Sequence, residues 1–208
     1  KAVEWYRNAA EQGNLYAQTN LGWMYESGSG VDKDETKAAE WYRRAAEQGH
    51  ARAQTNLAWL YQNGLGVPQS DEEAVGWYTV AAEQGDPRAQ TNIGWMYEKG
   101  RGVPQDDKEA AEWYRLAAEQ GYATAQSNLG WMYQNGKGVP QSDTDAYKWF
   151  SLAAEQGNAS AQSNLGWVYE NGKGVRKDMK KALEWYRKAA DQGDDFAQKA
   201  LERLAQKK

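Results

Sequence analysis

The chain has no cysteine, one histidine (His50), two phenylalanines and four prolines in 208 residues. Without cysteine there is no disulfide framework and no thiolate metal site. A single histidine removes the commonest general base and any multi-histidine metal centre. No apolar run approaches the roughly 18 residues needed to span a bilayer. Positive charge is also scarce: 25 Lys and Arg against 29 Asp and Glu give a net charge of −4. That balance offers no basic footprint for nucleic acid or an anionic membrane. No signal peptide is readable, and the chain opens at Lys1 inside a helical pattern. Tryptophan is the residue in excess, with eleven copies.

Their order exposes a repeat. Trp5, Trp41, Trp77, Trp113, Trp149 and Trp185 are spaced by 36 residues, and so are Trp23, Trp59, Trp95, Trp131 and Trp167. Around the first series the sequence reads WYRRAAEQG at 41–49 and WYRLAAEQG at 113–121. Around the second it reads AQTNLGWMYESGSGV at 17–31 and AQSNLGWMYQNGKGV at 125–139. A fixed period of this size means stacked supersecondary units that share a continuous core.

Each unit reads as two helices. Ala17, Leu21, Met24 and Tyr25 fall on one stripe of a helix with a 3.6-residue period. Asn14, Asp86, Asn158 and Asp194 stand at its N-cap, with Pro87 in the first helical position. Gly28, Gly64, Gly100, Gly136 and Gly172 suit a left-handed C-terminal residue, and Pro68, Pro104 and Pro140 stiffen the loop that follows. The second helix begins near Ser70, Asp106 or Ser142. Ser70 with Glu73, and Asp106 with Glu109, have the spacing of a capping box. Gly49 ends this helix. The expected fold is all-α: a solenoid of antiparallel helix pairs forming one array over 1–208. Residues 1–13 are a half repeat with only a second helix, and 14–49, 50–85, 86–121, 122–157 and 158–193 are whole repeats. Residues 194–208 form a C-terminal capping helix, made polar by Glu202 and Arg203 where other copies have Gly and Trp. The missing N-terminal half points to a piece of a longer array.

The pattern A-x-A-Q-x-N-L-G-x-M-Y-x-x-G-x-G-V followed by W-Y-x-x-A-A-E-Q-G resembles the Sel-like repeat family, a relative of the tetratricopeptide repeats. The resemblance covers nearly the whole chain. It implies a right-handed, tetratricopeptide-like superhelix with first helices inside and second helices outside. It also implies a non-catalytic adaptor in protein complexes, with bacterial members exported to engage host or envelope partners; a periplasmic or secreted location follows from the resemblance alone. Family members with a cysteine clip in each repeat differ from this chain, whose stability must come from packing.

Helical angles divide the recurring residues. At about 100° per residue, Trp41, Tyr42, Ala45 and Ala46 share one apolar sector, so the Trp41 series is expected in the core. Gly22, Gly94, Gly130 and Gly166 lie inside the first helix, where glycine costs about 1 kcal/mol relative to alanine, and so mark close helix contact. Ala58 is the one substitute. Trp23 lies well away from the Leu21–Met24–Tyr25 stripe, beside Asn20, Thr19, Tyr16 and Ser27. By resemblance to tetratricopeptide proteins this face lines the concave groove. The expected ligand site is therefore Trp23, Trp59, Trp95, Trp131 and Trp167, with Asn20, Asn56, Asn92, Asn128 and Asn164 alongside and Thr19, Thr55, Thr91, Ser127 and Ser163 near by. Rigid indoles with an N–H handle and carboxamides suit an extended peptide or a glycan. Arg52, Arg88 and Lys99 add positive charge mid-groove, pointing to an acidic segment. The alternative is that the Trp rings pack between first helices and the Asn amides tie repeats together.

Other signals are weak. The GxGV loops follow a helix C-terminus, not a strand, which argues against a phosphate cradle. His50 reads as a solvated N-cap, and Glu40, Arg43, Arg44 and Glu47 as a solvated helix face. An enzyme would need groove carboxylates such as Glu26, Glu98 or Glu170, which stand about two repeats apart with no evident base partner. The sequence thus predicts a monomeric, non-catalytic scaffold without cofactor or metal, binding a protein segment in its groove. Glycan or peptidoglycan on the Trp ladder is the alternative.

Overall fold

In the computed structural model, which describes residues 2–206, twelve α-helices and no strands are present among the described residues. The chain divides into two compact units, residues 1–106 and 107–208. The first unit contains α1 (Ala2–Glu11), α2 (Leu15–Ser27), α3 (Glu35–Glu47), α4 (Ala51–Asn63), α5 (Asp71–Glu83) and α6 (Pro87–Lys99). The second contains α7 (Asp107–Glu119), α8 (Ala123–Asn135), α9 (Asp143–Glu155), α10 (Ala159–Asn171), α11 (Met179–Ala190) and α12 (Asp195–Ala205). Within each unit every helix packs against its neighbours in sequence, the pairing that defines an α-solenoid.

Local chemistry sets the helix ends. Asn14, Asp86, Asn158 and Asp194 accept from the backbone N–H groups of Ala17, Ala89, Ala161 and Ala197. Each of the first helices α2, α4, α6, α8 and α10 stops at a glycine with φ between 64° and 73°. The expected capping box is half realised. Ser70 Oγ accepts from Glu73 N–H, but the Ser70 N–H donates to the Tyr61 carbonyl and leaves nothing for Glu73 to cap. The second glycine of each GxG loop has a different task. A Cβ on Gly66 would stand 2.2 Å from the Glu35 carbonyl, and one on Gly174 2.1 Å from the Asp143 carbonyl oxygen. These loops lie against the first turn of the preceding repeat's second helix, so only glycine fits.

The core differs from expectation in one respect. Tyr42, Tyr78, Tyr114, Phe150 and Tyr186 are fully buried, while Trp41, Trp77, Trp113, Trp149 and Trp185 are half-buried and Trp5 is 76% exposed. The reason is the cavity that Gly22 opens. The Tyr42 ring fills it, and the adjacent indole is left at the edge, covered by the Arg44 guanidinium 4.4 Å from its centre. The same arrangement places Lys188 4.0 Å from the Trp185 ring.

Two polar expectations also change. His50 is at the N-cap position of α4 but makes no capping bond; its Nδ1 lies 2.8 Å from the Thr19 hydroxyl, and its ring meets Tyr16 edge-on. Burial, and then the nearby Arg52, lower its pKa below the ordinary histidine value. Arg43 is not on a solvated face: it donates to the Tyr61 hydroxyl in the next repeat. At the C-terminal end α12 is less polar than its sequence implies, because Leu201 and Leu204 are half-buried against the core of the second unit.

Candidate functional site

The expected ligand face lies on the first helices, and each unit carries its own part of it. In the first unit Trp23 is 49% and Trp59 40% exposed, and Trp95 is half-buried. In the second unit Trp131 and Trp167 are half-buried. None of the five rings is enclosed in the core. Cations sit against two of them, Arg101 5.4 Å from the Trp95 centroid and Lys137 5.4 Å from that of Trp131. Arg101 is held there by a two-pronged pair with Asp71, at 2.9 and 2.7 Å. The residues one turn on fix the C-terminal edge of the face: Ser27, Asn63, Asn135 and Asn171 donate to the carbonyls of Trp23, Trp59, Trp131 and Trp167.

The asparagines expected beside these rings are all half-buried. Asn56 and Asn92 lie beside the hydroxyls of Tyr42 and Tyr78, which project from the preceding second helix. The Tyr42 hydroxyl donates to Glu26, and that of Tyr78 to Gln62 at 3.0 Å. Burial first, and for Tyr42 the Glu26 carboxylate second, push both phenols well above the usual tyrosine range. Glu170 takes the equivalent bond from Tyr186 at 2.9 Å, and an ion pair from Arg203 at 2.8 Å. These carboxylates serve as acceptors in the packing. Thr19, Thr55, Thr91, Ser127 and Ser163 are buried. Three of them donate back to the carbonyl four residues earlier, and Ser163 reaches Asp194. The hydroxyl series therefore lies behind the face, not on it. Of the expected basic residues, Arg52 is exposed, Arg88 lies 3.9 Å from Asp86, and Lys99 is paired with Glu98.

A second polar ladder was not singled out from the sequence. Gln18, Gln54, Gln90, Gln126 and Gln162 are all at least 95% buried. Gln18 Nε2 donates to the Ala10 carbonyl on the preceding second helix, while its Oε1 accepts from Gln48 at the end of the following one. Gln54, Gln126 and Gln162 repeat both bonds. Each amide joins three consecutive helices, and its recurrence in every A-Q-x-N-L segment was the available signal. Among the described residues no group of three or more His, Asp or Glu could hold a metal ion, and no helix is long and apolar enough to cross a membrane.

Comparison with known proteins accounts for this repeating geometry. The Sel1 repeat model matches residues 1–14, 15–50, 51–86, 87–122, 123–158 and 159–194. A protective antigen of uropathogenic Escherichia coli strains, described as displaying an SLR fold, is 43% identical with a TM-score of 0.87. The match covers 98% of this chain and 44% of the antigen, so the chain spans less than half of that protein's length. A Sel1 repeat protein from Oxalobacter formigenes is 39% identical over 91% of this chain and 76% of its own, with a TM-score of 0.86. An immunity protein from Pseudomonas aeruginosa is 25% identical over 93% of this chain and 74% of its own, with a TM-score of 0.64. No curated protein matches significantly. The glutamine ladder, the helix-ending glycines and the buried tyrosines thus recur with the register of a known unit, and the chain belongs to the Sel1 repeat family, whose members are generally non-catalytic scaffolds for protein interaction.

Proposed function

We propose that the first-helix faces bind an extended protein segment, the first unit through Trp23, Trp59 and Trp95 and the second through Trp131 and Trp167. The observation that carries this reading is the exposure of Trp23 and Trp59, 49% and 40%, on helices whose core positions are already filled by Leu21, Leu57 and Leu60. An indole left at the surface is a large rigid contact area with a hydrogen-bond donor, the combination most enriched at binding hot spots. The backbone of these helices is fixed by caps and by the glutamine ladder, so little ordering cost remains for binding. Arg52 supplies an exposed cation beside this face and favours a segment bearing carboxylates. The similarity to an immunity protein supports a protein partner.

The test is capture of proteins from bacterial lysate and from host-cell secretions on immobilised chain, compared with Trp23→Ala/Trp59→Ala. A protein retained by the wild type and lost by the variant, with helical circular dichroism unchanged, is the expected result. Equal retention by both would remove the Trp face from the binding site. Elution of the captured protein by a peptidoglycan oligosaccharide would assign the face to glycan instead.

A further inference from the structure

In the first unit, α1 and α3 are tied to the first helices that follow them by an arginine–tyrosine contact. Arg7 donates to the Tyr25 hydroxyl at 3.0 Å, Arg43 donates to that of Tyr61, and the Arg43 guanidinium lies 5.6 Å from the Tyr61 ring centroid. In α11 the same position is Arg187, but Ala205 stands where the tyrosine would be. The guanidinium loses both its acceptor and its ring. Among the described residues Arg187 has no side-chain partner, and neither has its neighbour Lys177.

The same change opens a cleft of about 640 Å³ between α11 and α12. Its floor is apolar: Met179, Leu183, Leu201 and Leu204, each half-buried. Lys177 and Arg187 stand exposed on its rim. Glu170 is also on the wall, but its carboxylate is engaged by Tyr186 and Arg203. The surroundings reinforce the sign. Residues 173–206 hold 9 of the 25 basic residues and 6 of the 29 acidic ones, a local net charge of +3 in a chain of net −4.

We infer that this cleft is a docking surface for an acidic, amphipathic segment of a partner protein, one that sets an aromatic or leucine side chain on the Met179–Leu183–Leu201–Leu204 floor and a carboxylate on Arg187 and Lys177. The large side chain takes the space that tyrosine occupies in the inner repeats. The carboxylate completes a guanidinium that a hydroxyl completes elsewhere, and a charged acceptor makes the stronger bond. The excess of positive charge steers such a segment to this end of the second unit and disfavours basic ones. The site is separate from the Trp face, and neither depends on the other.

The probe is a fluorescently labelled synthetic helical peptide with Leu and Tyr on one face and Glu on the other, beside the same peptide with Lys in place of Glu. Anisotropy titrations with the full chain should give saturable binding of the Glu peptide alone. Lys177→Glu/Arg187→Glu should weaken it about tenfold and transfer binding to the Lys peptide. Ala205→Tyr, which closes the cleft, should weaken the Glu peptide comparably, while Trp23→Ala/Trp59→Ala should leave it unchanged. Circular dichroism on each variant checks that the helices persist. Equal affinity for the two peptides, no binding of the Glu peptide, or full affinity in Ala205→Tyr would overturn the inference. So would tight binding to vesicles of phosphatidylglycerol with none to the peptide, since the surface would then be one for anionic lipid.

Discussion

The Tyr42 ring occupies the space next to Gly22 so closely that a Cβ on the glycine would stand 2.7 Å from the ring carbons Cδ1 and Cε1. Gly130 with Phe150 and Gly166 with Tyr186 repeat the relationship at 2.8 and 2.6 Å. The helical cost of about 1 kcal/mol per internal glycine is therefore offset by admitting a whole aromatic ring to the core. Gly166→Val should destabilise the chain by about 2–4 kcal/mol through overpacking, read from urea denaturation followed by circular dichroism. A value near zero would mean that the Tyr186 ring has room to move aside.

Adjacent aromatics in the second helix should differ sharply. Tyr42→Ala removes a fully buried ring and should cost about 3–5 kcal/mol; Trp41→Ala removes a half-buried ring capped by Arg44 and should cost roughly 1–2 kcal/mol. The order of the two midpoints in thermal melts decides the matter, and the reverse order would restore tryptophan to the core.

Replacing Gln162 by Leu should cost about 1–3 kcal/mol, because it removes the bond to the Ala154 carbonyl and the bond from the Gln192 carboxamide at once. Replacing the exposed Gln206 in the same way should change stability by less than about 0.5 kcal/mol. Equal midpoints for the two variants in chemical denaturation would show that the ladder contributes nothing.

His50 is the only histidine, which makes its titration readable by itself. Its pKa is lowered in the folded chain by burial and then by Arg52, so the unfolded chain takes up the proton first as pH falls. The stabilisation is complete above the unfolded value of 6.5 and is lost as the pH drops through the folded pKa. The melting temperature should fall as the pH drops from about 7 through that folded pKa, and His50→Gln should flatten that dependence. A single imidazole resonance titrating at or above 6.5 would contradict the burial that the Thr19 and Tyr16 contacts describe.

Much of this was legible in the residues. The 36-residue spacing of tryptophan fixed the helix pairs. The N-cap residues Asn14, Asp86, Asn158 and Asp194 and the C-terminal glycines marked their ends, because capping is chemistry within a few residues of chain. Gly22 and its copies announced close packing, but helical angles could not say whether Trp41 or Tyr42 fills the space: the two differ by a single helical step, and only the neighbouring helix decides between them. Thr19 and His50 were misplaced for the same reason, since their partners lie on other helices. The glutamine ladder escaped because a buried carboxamide and a solvated one look alike until the Ala10 carbonyl and Gln48 are brought to it. Trp23 and Trp59 are exposed where the helical angle placed them, on the side away from the core stripe.

The bonds that join one repeat to the next are short in sequence. Gln48 reaches back 30 residues to Gln18, and His50 reaches 31 to Thr19, each less than one period. A block of 36 residues can therefore be inserted or removed, and each glutamine of the ladder still finds a partner of the right kind at the right distance. For a gene carrying this sequence, unequal recombination between its own near-identical segments is a change of length without a change of fold, so the number of repeats is a trait that selection can adjust in whole steps.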